Sequence, residues 1–170
     1  MVRSIKKERR KGSLVYLSSF FFLLAGLSLF IPFCSYQIED GFTLSLTSYK
    51  VIFGGEDIST ENGYIYSFSY KLNVPLLIMS QLFVLSFIAS LLGKKDKTNI
   101  IIALLLGISS LIMDIFSIRL ASLSSSLMQE GLKPGVGYYF SIGLAILALI
   151  TLLICLFSLL FKKKEKNYEL

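Results

Sequence analysis

The stretch NIIIALLLGISSLIMDIFSI, residues 99–118, decides the fold of this chain. It holds a single charged side chain, Asp114, and as a helix it is long enough to cross a hydrocarbon layer of about 30 Å. Runs of the same character occupy 14–33, 75–93 and 138–161. Soluble domains rarely contain apolar runs of this length. The sequence therefore predicts an all-α membrane protein with a transmembrane bundle of four helices.

These runs take up about half of the chain. Of its 170 residues, 54% are hydrophobic and 16% are charged, which leaves little room for a separate soluble domain. The first run follows a basic segment, but it is about twice as long as the apolar core of a signal peptide, so we predict an anchor helix. The predicted organisation is one membrane domain, 14–161, with outer loops at 34–74 and 119–137 and basic tails at 1–13 and 162–170.

Basic residues concentrate on one side of the predicted membrane. Of the 17 lysines and arginines, 13 lie in the two tails and in the short loop 94–98. Such segments stay on the cytoplasmic side. We therefore predict a multi-pass plasma-membrane protein whose N- and C-termini are both cytoplasmic. Beside membrane spans, basic clusters also predict contacts with anionic lipids, and we expect no nucleic-acid binding.

The first outer loop contains two stretches, 42–47 and 64–72, in which apolar and polar residues alternate. This alternation predicts strands, and the glycine-containing segments 54–57 and 61–63 predict turns. We expect a small extracellular β-element, an antiparallel sheet on the outer face. The alternative is that 64–72 forms the first turns of a long second helix, which Pro75 disfavours.

An aromatic stripe follows from the same alternation. Four aromatic residues occupy every second position of the second stretch: Tyr64, Tyr66, Phe68 and Tyr70. A two-stranded ribbon is only marginally stable in water, so these rings need a surface beneath them. Tyrosine rings suit the membrane interface, where carbon meets lipid and the hydroxyl meets water. We take these four residues as a candidate interaction surface.

The third run carries a line of small and polar residues on one helical face. The line comprises Ala103, Gly107, Ser110, Asp114, Ser117 and Ala121. Small residues allow close backbone approach, so this face is predicted to pack inside the bundle. Shorter lines of the same kind occur on the second run, at Ser86, Ser90 and Gly93, and on the fourth, at Ser141, Ala145 and Ala148.

Asp114 is the candidate functional residue, because a carboxylate within the hydrocarbon is expensive and must face protein or water. One interpretation is an ion or proton site. The other is a carboxyl satisfied by hydroxyls of Tyr138, Tyr139 or Ser141 at the same depth. The candidate polar site therefore comprises Asp114, Ser110, Ser117, Tyr139 and Ser141.

The sequence contains few residues that could form a catalytic or metal-binding site. The chain has no histidine, which excludes a serine–histidine pair and a histidine metal site. The acidic residues of the first outer loop lack the spacing of a calcium loop. Cys34 and Cys155 lie at different depths of the predicted bundle, too far apart for a disulfide. We predict no cofactor, no metal and no enzymatic activity.

Three motifs together resemble a known group of proteins. They are Phe30-Ile31-Pro32, Tyr49-Lys50-Val51-Ile52-Phe53-Gly54 and Gly135-Val136-Gly137-Tyr138-Tyr139. On these, the chain resembles small four-helix (tetraspan) membrane proteins of Firmicutes and Mollicutes whose function is uncharacterised. The resemblance implies a bacterial plasma membrane and no particular activity. Claudin-type proteins share the layout by analogy alone, since this loop lacks their tryptophan and paired cysteines.

Two functions are compatible with this sequence. The first is a non-catalytic accessory or scaffold protein that binds another membrane or surface protein, or a second copy of itself. The aromatic stripe and the absence of a reactive cluster favour it. The alternative is a small transporter or channel component that uses Asp114.

Overall fold

The computed structural model describes the backbone of residues 2–37, 43–61, 64–93, 96–122 and 132–167, and side chains within 12–36, 43, 45–56, 69–93, 96–122 and 132–159. The helices are α1 (Val2–Leu27, followed by a 3-10 turn at Ser28–Phe30), α2 (Ser48–Phe53), α3 (Val74–Leu92), α4 (Lys97–Ile115), α5 (Ser117–Ala121) and α6 (Val136–Asn167). The strands are β1 (Pro32–Gln37), β2 (Thr43–Thr47), β3 (Gly55–Glu61), β4 (Tyr64–Tyr70) and β5 (Leu132–Pro134).

Four helices are long and apolar enough to cross a membrane. They are Gly12–Phe30, Val74–Leu92, Lys97–Ile115 and Val136–Leu159, which confirms the four predicted runs. The first helix ends earlier than predicted, because the chain turns into β1 at Pro32. Helix α1 begins at Val2 and α6 continues to Asn167, so helix extends into both basic tails.

The four long helices form a ring. Helix α1 packs against α3 and α6, and α4 packs against the same two helices. The order round the bundle is therefore α1, α3, α4, α6.

The small-residue line of α4 faces the inside of this ring, as predicted. All six of its residues are buried, and so are the shorter lines on α3 and α6. The opposite face of α4 is exposed, with Leu105 62% and Ile112 51% accessible. At Gly107 a Cβ atom would lie 2.6 Å from Cζ of Phe22, so glycine leaves space for the Phe22 ring in the centre of the bundle.

The helix starts depend on polar side chains. Asn73 precedes α3, where its Oδ1 accepts a hydrogen bond from the Leu76 backbone N–H at 3.1 Å and its Nδ2 donates to the Leu120 carbonyl at 2.6 Å. This buried side chain therefore joins α3 to α5. Helix α4 is capped by Asp96, whose Oδ1 accepts a hydrogen bond from the Thr98 N–H at 3.1 Å.

The strands form two sheets, and the prediction of one sheet was wrong. Strand β1 lies between β2 and β5, and β3 pairs only with β4. Strands β2 and β4 overlap the predicted 42–47 and 64–72, although residue 42 lies outside the described part. The alternative of a longer second helix is excluded, since 64–70 is strand and α3 starts at Val74.

The predicted turn at 54–57 was also wrong, because Gly55 already begins β3. The actual change of direction is at Gly54, whose φ of +78° suits glycine. A Cβ there would lie 2.7 Å from the Tyr70 carbonyl oxygen. Gly54 thus lets the start of β3 lie close to the end of β4 at the base of the ribbon. The other predicted turn, 61–63, lies largely outside the described residues.

Candidate functional site

The polar site predicted around Asp114 is formed by two neighbouring helices, α4 and α6. The Ser141 hydroxyl lies 2.6 Å from Oδ2 of Asp114 and 3.0 Å from the carbonyl oxygen of Tyr138. Both side chains are fully buried. Of the partners considered for the carboxyl, the structure therefore selects Ser141.

One oxygen of the carboxyl lacks a partner. Oδ1 of Asp114 is buried and has no hydrogen-bond partner among the described residues. A buried polar atom left unpaired costs about 1–3 kcal/mol, and more when it carries charge. The carboxyl therefore destabilises this position unless something outside the described part binds it.

The other hydroxyls near the site donate to backbone carbonyls. Ser117 donates to the carbonyl of Asp114, Ser110 to that of Gly107, and Tyr138 to that of Ile115. None of these hydroxyls pairs with Oδ1. Ser110 and Ser117 share the buried face of Asp114 but make separate contacts.

Tyr139 was predicted at this site, and the structure places it elsewhere. Its side chain is 63% exposed, and its ring packs on the ring of Tyr138 at 5.3 Å. Successive helical residues are separated by about 100°, so Tyr138 and Ser141 share a face that Tyr139 does not. Tyr138 is the tyrosine that contacts α4.

The chemistry of this site is limited to one carboxyl, one hydroxyl and nearby backbone carbonyls. Within the described residues, no three acidic or cysteine side chains are grouped as a metal site. An oxygen set of this size can hold a proton or contribute to the coordination of a cation.

A second buried polar cluster lies at the opposite end of the bundle. The hydroxyl oxygen of Ser19 lies 3.0 Å from that of Ser90, and Ser90 lies 3.3 Å from the hydroxyl of Ser18. Ser19 donates its proton to the carbonyl of Val15 at 2.9 Å. These contacts join α1 to α3. Of these three serines only Ser90 was predicted to be buried, although the two adjacent serines in the first apolar run indicate its partners.

The candidate interaction surface is only partly described. Tyr64, Tyr66 and Phe68 lie on the described backbone of β4, but their side chains lie outside the described part of the chain. Tyr70 is 7% exposed and belongs to the core. It pairs with Gly55 at the base of the ribbon, so it anchors the ribbon and does not offer a surface.

The cysteines are buried and free, Cys34 in β1 and Cys155 in α6. Burial raises the pKa of the Cys34 thiol to about 12. This thiol therefore stays protonated at neutral pH and reacts slowly with alkylating agents, because the thiolate is the nucleophile.

Comparison with protein-family models, with curated proteins and with solved structures finds no match for this chain.

Proposed function

We propose that the protein is a non-catalytic multi-pass membrane protein that binds another membrane or surface protein through its β3–β4 ribbon. The observation that carries this proposal is the isolation of the ribbon. It forms a two-stranded sheet separate from β2-β1-β5, and among the described elements it makes its main outside contact with α2. A two-stranded ribbon alone is marginal in water, so a bound partner would stabilise it.

The ribbon offers two means of recognition. Seven residues in each strand give it a length of about 23 Å. Within the described sheets, each strand has one edge with no neighbour, and such edges accept an added strand from another protein. The alternating aromatic residues predicted on β4 would supply side-chain specificity to that pairing.

The proposal includes the orientation of the chain in the membrane. Strand β5 from the second outer loop pairs with β1 from the first, so both loops meet at one end of the bundle. With the basic segments at the other end, the positive-inside rule places both termini in the cytoplasm. The resemblance to small four-helix proteins of Firmicutes and Mollicutes adds a bacterial plasma membrane.

Cysteine labelling tests the orientation. Glu56 in β3 and Lys97 at the start of α4 are exposed. The native cysteines are buried and should not react with the maleimide. We expect E56C to react with a membrane-impermeant maleimide on intact cells and K97C to react only after permeabilisation. The reverse pattern, or reaction of both variants on intact cells, would contradict the proposed topology.

Partner binding is tested by co-purification in mild detergent. We expect the triple variant Tyr64→Ser, Tyr66→Ser, Phe68→Ser to lose the co-purifying protein, because it removes the predicted aromatic stripe from β4. The matched control carries Ser67→Ala and Ser69→Ala on the alternate positions and should retain it. If the triple variant folds and retains every partner, or if the wild type purifies alone as a monomer, the proposal fails.

A second function is favoured by one specific observation, the unpartnered Oδ1 of Asp114. A carboxyl oxygen within the membrane that binds no neighbour is available to a proton or a cation. We propose a small transporter or channel component as this second function.

A further inference from the structure

An apolar recess lies between the outer parts of α1 and α3, beneath α2. Its volume is about 240 Å³. Leu23, Leu27 and Val84 form its walls, and Tyr49, Ile52 and Phe53 form its outer end. It belongs neither to the Asp114 site nor to the β3–β4 ribbon.

The recess offers almost no polar contact to an occupant. The hydroxyl of Ser80 already donates to the carbonyl of Leu77 at 2.7 Å. The remaining walls are hydrocarbon and aromatic ring, with Gly26 leaving space between Leu23 and Leu27. An occupant that matches this lining is itself a hydrocarbon, since a buried polar group would go unpaired here.

The outer end of the recess is closed by aromatic rings. The ring of Tyr49 stacks on Phe30 at 6.0 Å and contacts Phe53 at 4.9 Å. A transmembrane helix is about 10 Å across and straight, so one lying along this groove would meet α2. A flexible chain that enters from the side or from below avoids that obstacle.

The recess lies within the outer half of the predicted membrane span. From Leu23 to Phe30, α1 and the 3-10 turn after it rise about 10 Å, whereas half of the hydrocarbon layer is about 15 Å thick. At the top, α2 exposes Tyr49, Lys50 and Phe53, a combination of aromatic and basic residues typical of the headgroup level. A phospholipid with its chain in the recess would place its phosphate near the level of Lys50, where the charges are complementary.

We propose that this recess binds one acyl chain of a membrane phospholipid, held between α1 and α3 and closed off by α2. The inference requires the bundle to lie in a bilayer. It is independent of partner binding by the ribbon and of any role of Asp114, so failure of either leaves it standing.

Photo-crosslinking in vesicles tests the proposal. The purified full chain is reconstituted in phosphatidylcholine vesicles containing phosphatidylglycerol with a diazirine in its acyl chain. Adducts are then mapped by mass spectrometry after illumination. We expect Leu23, Leu27 and Val84 to carry about tenfold more adduct than Leu105 and Ile112 on the exposed face of α4, because a held chain stays in reach.

Two glycine substitutions give a matched comparison. A Cβ at Gly26 would lie 3.9 Å from Cβ of Phe83, so Gly26→Leu fits the helix contact and fills the recess. A Cβ at Gly143 on α6 would have no atom within 4 Å, so Gly143→Leu leaves the recess untouched. We expect G26L to abolish the preferential labelling and G143L to retain it.

A second variant that fills the recess from its opposite wall keeps the test valid if G26L does not fold. Val84 lines the recess from α3 and is 48% exposed, so Val84→Phe should fill it with little strain and have the same effect as G26L. Even labelling of all exposed helix faces in the wild type would overturn the proposal. Preferential labelling that persists in both filled variants would overturn it as well.

Discussion

Replacing Gly135 by alanine is expected to lower the free energy of unfolding by about 3 kcal/mol, because backbone atoms occupy the space of the new methyl group. A Cβ at this position would lie 2.7 Å from the carbonyl oxygen of Pro32 and 3.0 Å from the carbonyl carbon of Phe33. Main-chain atoms cannot rotate away as a side chain can. The Gly135 N–H also donates to the Phe33 carbonyl at 2.7 Å, so any shift weakens that bond.

The effect should spread beyond the glycine, since Gly135 connects β5 to α6 and lies against the start of β1. Displacing it separates the second outer loop from the first, where β5 pairs with β1 through Cys34 and Pro134. Thermal unfolding in detergent, followed by circular dichroism, measures the change. Faster alkylation of the buried Cys34 thiol would report the same opening locally.

Gly143→Ala is the control for this prediction. Gly143 lies in α6, is exposed and has open space around a Cβ position. Alanine exceeds glycine in helix propensity by about 1 kcal/mol, so this variant should equal or exceed the wild type in stability. The two glycine-to-alanine changes are thus expected to have opposite signs. Equal stability of both variants would show that the close approach at Gly135 does not exist.

The helices were predictable because their signals are local. The length of an apolar run and the repeat of small residues along it are visible within a single segment. Burial of Ser110 and Ser117 and exposure of Leu105 follow from the helical period alone. Depth on the fourth run predicted Tyr138, Tyr139 or Ser141 as the partner of Asp114, and the structure shows that the partner is Ser141.

The strands were less predictable because they depend on distant pairing. Strand β5 has three residues, one of them Pro134, and it exists because β1 lies beside it. Strand β1 begins at Pro32 within the segment assigned to the first helix. Neither segment alternates strictly in polarity. The apolar recess could not be predicted from the sequence either, because it is formed by residues from α1, α2 and α3 together.

The buried carboxyl of Asp114 is energetically costly and contributes little to packing. If the carboxyl were removed, the Ser141 hydroxyl would still donate to the Tyr138 carbonyl at 3.0 Å, so no donor would be left unpaired. Oδ1 has no partner in the described part of the chain. A structural role would require the carboxyl to satisfy a neighbour that has no other partner, and the contacts here do not show such a neighbour.

We therefore expect Asp114→Asn to keep or raise stability, by up to about 2 kcal/mol, because the amide has the same shape and no charge to desolvate. If the second proposed function holds, the same variant should lower proton or monovalent cation flux in proteoliposomes by about tenfold or more. The control is Asp96→Asn, which removes an exposed carboxylate from the other end of α4 and should leave flux unchanged. Loss of stability in D114N without a change in flux would mean that the carboxyl is structural. Absence of flux from both the wild type and D114N would remove the transport proposal and leave the ribbon as the functional surface.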